Sequence, residues 1–126
     1  MRAADTNVLV RLLERDDDRQ VRAAEDFIAP GAWISHLVLA ETLWVLDAVY
    51  ERSAAQIATA VEMLLDHRQL VIQDADAVAT ALTRFRERPA LGFSDCLVVE
   101  VARRAGHIPV GTFDRDLAKL ESTSLL

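Results

Sequence analysis

The sequence predicts an α/β fold built on a parallel sheet. Two observations carry this reading. Short apolar runs alternate with longer segments of helical period along the whole chain. Ser and Asp caps open those longer segments, and Gly or Pro closes them. Strands that alternate with helices imply crossover connections and helices on both faces of a parallel sheet. The 126 residues suit one domain, read as residues 1–126, with no internal repeat, low-complexity segment or linker.

The first strand is Arg2 to Ala4, followed by a helix from Asn7 to Leu13. Asp5 sits where strand gives way to helix. After the charged break Arg15-Asp16-Asp17-Asp18-Arg19, Asp17 or Asp18 caps a second helix to Ile28, with Val21, Ala24, Phe27 and Ile28 on one face. Ala32 to Ser35 reads as the second strand. A third helix from Leu37 to Tyr50 is apolar nearly all round, which predicts a buried helix with Trp44, like Trp33, in the core. Ser53-Ala54-Ala55-Gln56 fits a capping box and opens a fourth helix to Asp66. Leu70 to Ile72 is the third strand. Asp74 caps a fifth helix to Arg88, and Ser94 caps a sixth that stops before Gly106. Pro109 to Phe113 is the fourth strand, Asp114 to Leu120 a short helix, and Ser124 to Leu126 a last edge strand.

The composition excludes several functions. Just over half the residues are apolar, an ordinary globular mixture. Neither an apolar run of about 18 residues nor a basic-then-apolar leader is read. The single cysteine, Cys96, allows no internal disulfide and fits a reducing, cytoplasmic setting. Cys96 is expected to be a small buried side chain, since no base accompanies it. His36, His67 and His107 form no helical zinc pair. No Gly-rich phosphate loop follows a strand. A net charge of −6 argues against nucleic-acid binding by overall charge, but not against acids gathered around a cation.

Most acids have plain roles at helix ends or in loops, and Glu100 reads as an exposed ion-pair position with Arg103 and Arg104 one turn on. Four resist that treatment. Asp5 and Asp114 each follow a strand, where open α/β sheets bind ligands. Each also suits a helix cap. Glu41 has Leu37, Val38, Trp44 and Val45 as helical neighbours, a costly setting for an unpaired carboxylate. Asp95 opens the sixth helix with Val98, Val99 and Ala102 on its face, and also suits the helix dipole. Converging carboxylates stay ionised together only around a cation, and oxygen donors select a hard one, Mg²⁺ or Mn²⁺. Asp116 is a weaker fifth member.

With these residues in view, the chain resembles a PIN domain, specifically the VapC-type ribonuclease toxins of bacterial toxin–antitoxin pairs. The resemblance rests on Asp5-Thr6-Asn7-Val8-Leu9-Val10, Val38-Leu39-Ala40-Glu41, Phe93-Ser94-Asp95-Cys96 and Thr112-Phe113-Asp114-Arg115-Asp116, and spans essentially the whole chain. It implies a three-layer α/β/α sandwich with strand order 3-2-1-4-5. It places metal ligands at Asp5, Glu41, Asp95 and Asp114, with Asp116 assisting, and supporting polar groups at Thr6, Asn7 and Thr112. It also implies a homodimer and a small VapB-type antitoxin that blocks the site. Two departures stand out: Cys96 where a small residue such as Ala is expected, and a tail after Lys119 that is short for a last strand.

The expected reaction is hydrolysis of an RNA phosphodiester with Mg²⁺ as cofactor. Glu41 acts as a ligand, directly or through water, or orients the attacking water. Arg84, Arg86 and Arg88, with Arg11 and Arg15, are candidates for the RNA backbone, although a solvated helix face suits them better. Two other classes compete. One is a different metal-dependent phosphoesterase, such as a phosphatase with an aspartyl nucleophile, although Asn7 stands where its second acid belongs. The other is a PIN-fold binding module without catalysis, which needs none of the acids.

Overall fold

A computed structural model describes all residues, 1–126. It shows an α/β fold in two compact units, Met1–Ala75 and Asp76–Leu126.

In the first unit, β1 (Arg2–Ala3), β2 (Ala32–Ile34) and β3 (Leu70–Ile72) form a parallel sheet in the order β1-β2-β3. Ala32 and Ile34 of β2 pair with Leu70 and Ile72 of β3. All four are buried, while Trp33 and Val71 between them are exposed, as the two-residue period of a strand requires. Each crossover carries two helices: α1 (Thr6–Glu14) and α2 (Asp18–Ile28), then α3 (His36–Ala48) and α4 (Ala54–Asp66). Asp17, not Asp18, caps α2, its carboxylate accepting from Gln20 N at 3.1 Å. Ser53 and Gln56 form the predicted capping box of α4. Leu9 and Val10 of α1, Leu39 and Leu46 of α3, and Val61 of α4 are fully buried in this unit.

The expectation of a wholly buried third helix is corrected. α3 buries Leu39, Thr42, Leu43 and Leu46, a stripe at helical spacing, and turns Leu37 (76% exposed) and Trp44 (64%) outward. Thr42 joins the core because its hydroxyl donates to Val38 O at 2.7 Å. Trp33 is likewise exposed.

The second unit holds α5 (Ala75–Glu87), α6 (Phe93–Arg104), β4 (Val110–Thr112) and β5 (Thr123–Leu125). Phe85 of α5 meets Phe93 of α6 edge to face, ring centroids 6.2 Å apart. The short tail after Lys119 does make a last strand: β5 pairs in parallel with β4, Val110 against Thr123 and Thr112 against Leu125. Three expectations are corrected. Ser94 does not cap α6, which starts one residue earlier after Gly92, whose φ of +79° ends the preceding 3-10 turn. The stretch from Asp114 to Leu120 holds only a 3-10 turn, Leu117–Lys119. Glu100 is 5% exposed, so its pairing with Arg103 and Arg104 takes place at a buried carboxylate.

No helix is long and apolar enough to cross a membrane.

Candidate active site

The first unit supplies Asp5, Thr6, Asn7 and Glu41. Parallel pairing puts the carboxyl ends of β1, β2 and β3 along one edge, and Asp5 directly follows that end of β1. Ala4 N donates to Trp33 O at 3.1 Å, which holds the β1 end against β2. Asp5 then caps α1: its Oδ1 accepts from Thr6 N at 2.7 Å, while its second oxygen has no protein donor. Thr6 is 4% exposed, and its buried hydroxyl oxygen lacks a hydrogen-bond partner. A buried polar group left so is costly, which marks the position as unusual. Asn7 is exposed.

Glu41 lies in the second turn of α3, which starts at the same sheet edge: Ser35 caps the helix, its hydroxyl accepting from Val38 N at 3.1 Å. Glu41 is exposed, because Leu37 and Trp44 beside it are exposed too. The predicted apolar surroundings of this carboxylate are therefore corrected; its charge is solvated and carries no burial penalty. Gln73, just past β3, accepts from His36 N at 2.8 Å, and the buried Nε2 of His36 has no partner. The sequence gives His36 no role beyond excluding a helical zinc pair, and gives no signal for Gln73.

The second unit supplies Asp95, Thr112, Asp114 and Asp116, and it brings Asp95 and Asp114 together. Asp95 stands in the first turn of α6 with no hydrogen-bond donor and no cation on its carboxylate. Burial pushes its pKa above the ordinary 3.8, and the nearby Asp114 pushes it further the same way. Asp114 is held by backbone. Its Oδ1 accepts from Asp116 N at 2.9 Å and Leu117 N at 3.3 Å, and its own N–H donates to Thr112 Oγ1 at 3.0 Å. Thr112 thus holds the backbone of Asp114 rather than its carboxylate. Asp116 pairs with Lys119 at 3.4 Å.

The donor chemistry of this pair fits a hard divalent cation. Two carboxylates repel each other, one oxygen of Asp114 is fixed by amides, and Asp95 offers both oxygens without any competing protein donor. Neither unit by itself gathers three or more His, Cys, Asp or Glu side chains that could hold an ion.

Among the arginines proposed for RNA, Arg84 pairs loosely with Glu87 at 3.5 Å. Arg88 is exposed and makes no ion pair. Arg11 is engaged by Asp16 and Arg15 by Glu25, so these two serve the first unit's own surface. Cys96 is 1% exposed, and burial raises its thiol pKa to about 11, so it is the inert packing residue expected.

The family model described as PIN domain matches residues 3–122. No curated protein and no solved structure matches the chain.

Proposed function

We propose, since the chain belongs to the PIN domain family, that it is a metal-dependent endoribonuclease that hydrolyses RNA phosphodiesters. PIN domains are generally nucleases and commonly use divalent metal ions, so a hydrolase on a nuclease-type fold is the coarse reading. The observation that carries the finer one is the Asp95–Asp114 pair, two neighbouring carboxylates with no cation on Asp95, whose repulsion a divalent ion relieves. With them go Asp5 and Glu41, and Asp116 in an assisting place.

A divalent ion, Mg²⁺ or in its stead Mn²⁺, supplies charge neutralisation at the phosphate and a lowered pKa for an attacking water. The side chains do the rest. Asp114 presents its free oxygen from a carboxylate that two backbone amides keep in place. Asp5 does the same from the first turn of α1 through Thr6 N. Asp95, exposed but partly desolvated and beside Asp114, gains on pairing with positive charge. Glu41, solvated and unpaired, is suited to accept a proton from water or to orient it.

The proposal extends to the role of a toxin in a toxin–antitoxin pair in the cytoplasm, working as a homodimer and blocked by a VapB-type antitoxin. It carries one domain over residues 1–126 with strand order 3-2-1-4-5. Purified protein tests the chemistry. RNA is expected to be cleaved with Mn²⁺ or Mg²⁺ and spared in chelator, and Asp5→Asn is expected to abolish cleavage without unfolding the chain. Cleavage that survives in that variant overturns the metal reading.

A further inference from the structure

The second unit contains a cavity of about 310 Å³ that none of the candidate metal ligands lines. It lies between the end of α5, one face of α6 and the segment that leads into β5. Arg84, Arg88, Arg103 and Lys119 line it, four of the fourteen Lys and Arg residues of a chain whose net charge is −6. Such a gathering runs against the overall charge of the protein.

The facing carboxylates do not cancel it. Glu87, Glu100 and Glu121 also line the cavity, one fewer than the cations. Glu100 is shared between Arg103 and Arg104, so one carboxylate serves two guanidinium groups. Glu87 meets Arg84 only loosely at 3.5 Å, with both side chains half exposed, and Lys119 meets Asp116 at 3.4 Å with both side chains more than half exposed. Arg88, one helical turn after Arg84, has no ion-pair partner. The buried Cys96 and the Ser122 hydroxyl complete the wall with neutral groups.

We infer that this cavity holds a phosphate group, with Arg88, Arg84 and Lys119 as its donors. Arginine forks match the oxygens of a phosphate two at a time, and a lysine adds a point charge. The volume stands at the small end of ligand pockets, enough for one phosphoester group rather than a large apolar ligand. If the group belongs to a strand of RNA, the inference rests on the nuclease reading; the site itself does not.

The test is run in chelator, on the full chain, with a short single-stranded oligoribonucleotide and with inorganic phosphate. Arg88→Ala combined with Lys119→Ala is expected to weaken RNA binding about tenfold at low salt. It is also expected to flatten the dependence of log K on log salt by about 0.7 for each phosphate left without its cation. Arg22→Ala with Arg68→Ala removes the same charge outside the cavity and is expected to leave that slope unchanged. Phosphate titrated into the wild-type protein is followed at the Arg88 Nε and Ser122 amide resonances, and needs no variant to fold. A slope lowered only in the cavity variant assigns the phosphate to a strand. Saturable shifts with phosphate alone assign it to a small phosphoester. If the slope is kept and no resonance moves, the site is overturned. Cleavage assayed in parallel with Mn²⁺ separates the two readings, because its absence beside intact cavity binding sinks the nuclease and leaves the site.

Discussion

Asp114 stands close enough to Asp95 to add to the upward shift that burial gives the Asp95 carboxyl. The two come from a helix start and a strand end, and nothing positive lies on Asp95 in the protein alone. Asp114→Asn is expected to bring the Asp95 pKa part of the way back toward 3.8, the remainder being burial. A carboxyl carbon titration by NMR reads this directly.

The same shift has a sign in stability. An acid whose folded pKa is raised opposes folding once ionised, so its penalty is absent below the unfolded pKa of 3.8 and grows as pH rises through the folded value. Metal-free Asp95→Asn is therefore expected to melt above the wild type at neutral pH and level with it in strong acid. Added Mn²⁺ is expected to stabilise the wild type and not the variant, as binding to the native state alone requires. Melting curves with and without Mn²⁺ check both.

Asp5→Asn, Glu41→Gln, Asp95→Asn and Asp114→Asn are each expected to lower the RNA cleavage rate by at least about 10²-fold, equal to a loss of about 3 kcal/mol in the transition state. Circular dichroism is expected to stay native in each. Rates under saturating Mn²⁺ distinguish a ligand that is gone from one merely weakened.

Glu100 ties α6 to itself and, through Arg104, to α5, since Arg104 Nη2 donates to Thr80 Oγ1 at 3.1 Å. Hydrogen bonds from Arg103 first, then Arg104, hold the Glu100 carboxyl below its ordinary 4.5. Its contribution is present above that unfolded value and fades as pH falls through the lower folded one. Glu100→Gln is expected to cost about 1–2 kcal/mol near neutral pH and nothing in strong acid. Arg104→Ala, which also severs the hydrogen bond to Thr80, is expected to cost more than Arg103→Ala. Urea unfolding at several pH values measures all three.

α3 gives a contrast within one helix. Leu43→Ala is expected to cost about 2–5 kcal/mol, since Leu43 is buried. Trp44→Ala, at the next residue, is expected to stay within about 0.5 kcal/mol because its side chain stands in solvent. Equal destabilisation in urea unfolding would contradict the corrected face of this helix.

The elements were legible wherever periodicity and caps agreed. Ser53 with Gln56, the stripe of α2 and the glycine after α6 fell where spacing put them. α3 departs from its expected full burial because a count of apolar residues cannot tell a face from a total. Thr42 goes inward by bonding its own helix, and Trp44 goes outward although it is apolar. The carboxylates Asp5 and Asp114 were legible from their place after strands. Asp95 and its closeness to Asp114 are tertiary facts that spacing only suggests. The phosphate cavity was half legible: Arg84 and Arg88 share a helix, whereas Arg103 and Lys119 join them only through folding. Glu100 has the partners its spacing predicts but lies deeper, because an i, i+4 spacing fixes neighbours along a helix and not what packs over them.

Cys96 is the only thiol in the chain, is shut away from water, and has a pKa near 11. At neutral pH roughly one molecule in ten thousand carries the thiolate. Alkylating reagents thus find a target only when α6 lifts from its packing, which makes the rate of labelling a clock for local opening. The protein comes with its own built-in reporter on the helix that carries Asp95, and a cation that clamps that helix should slow the clock.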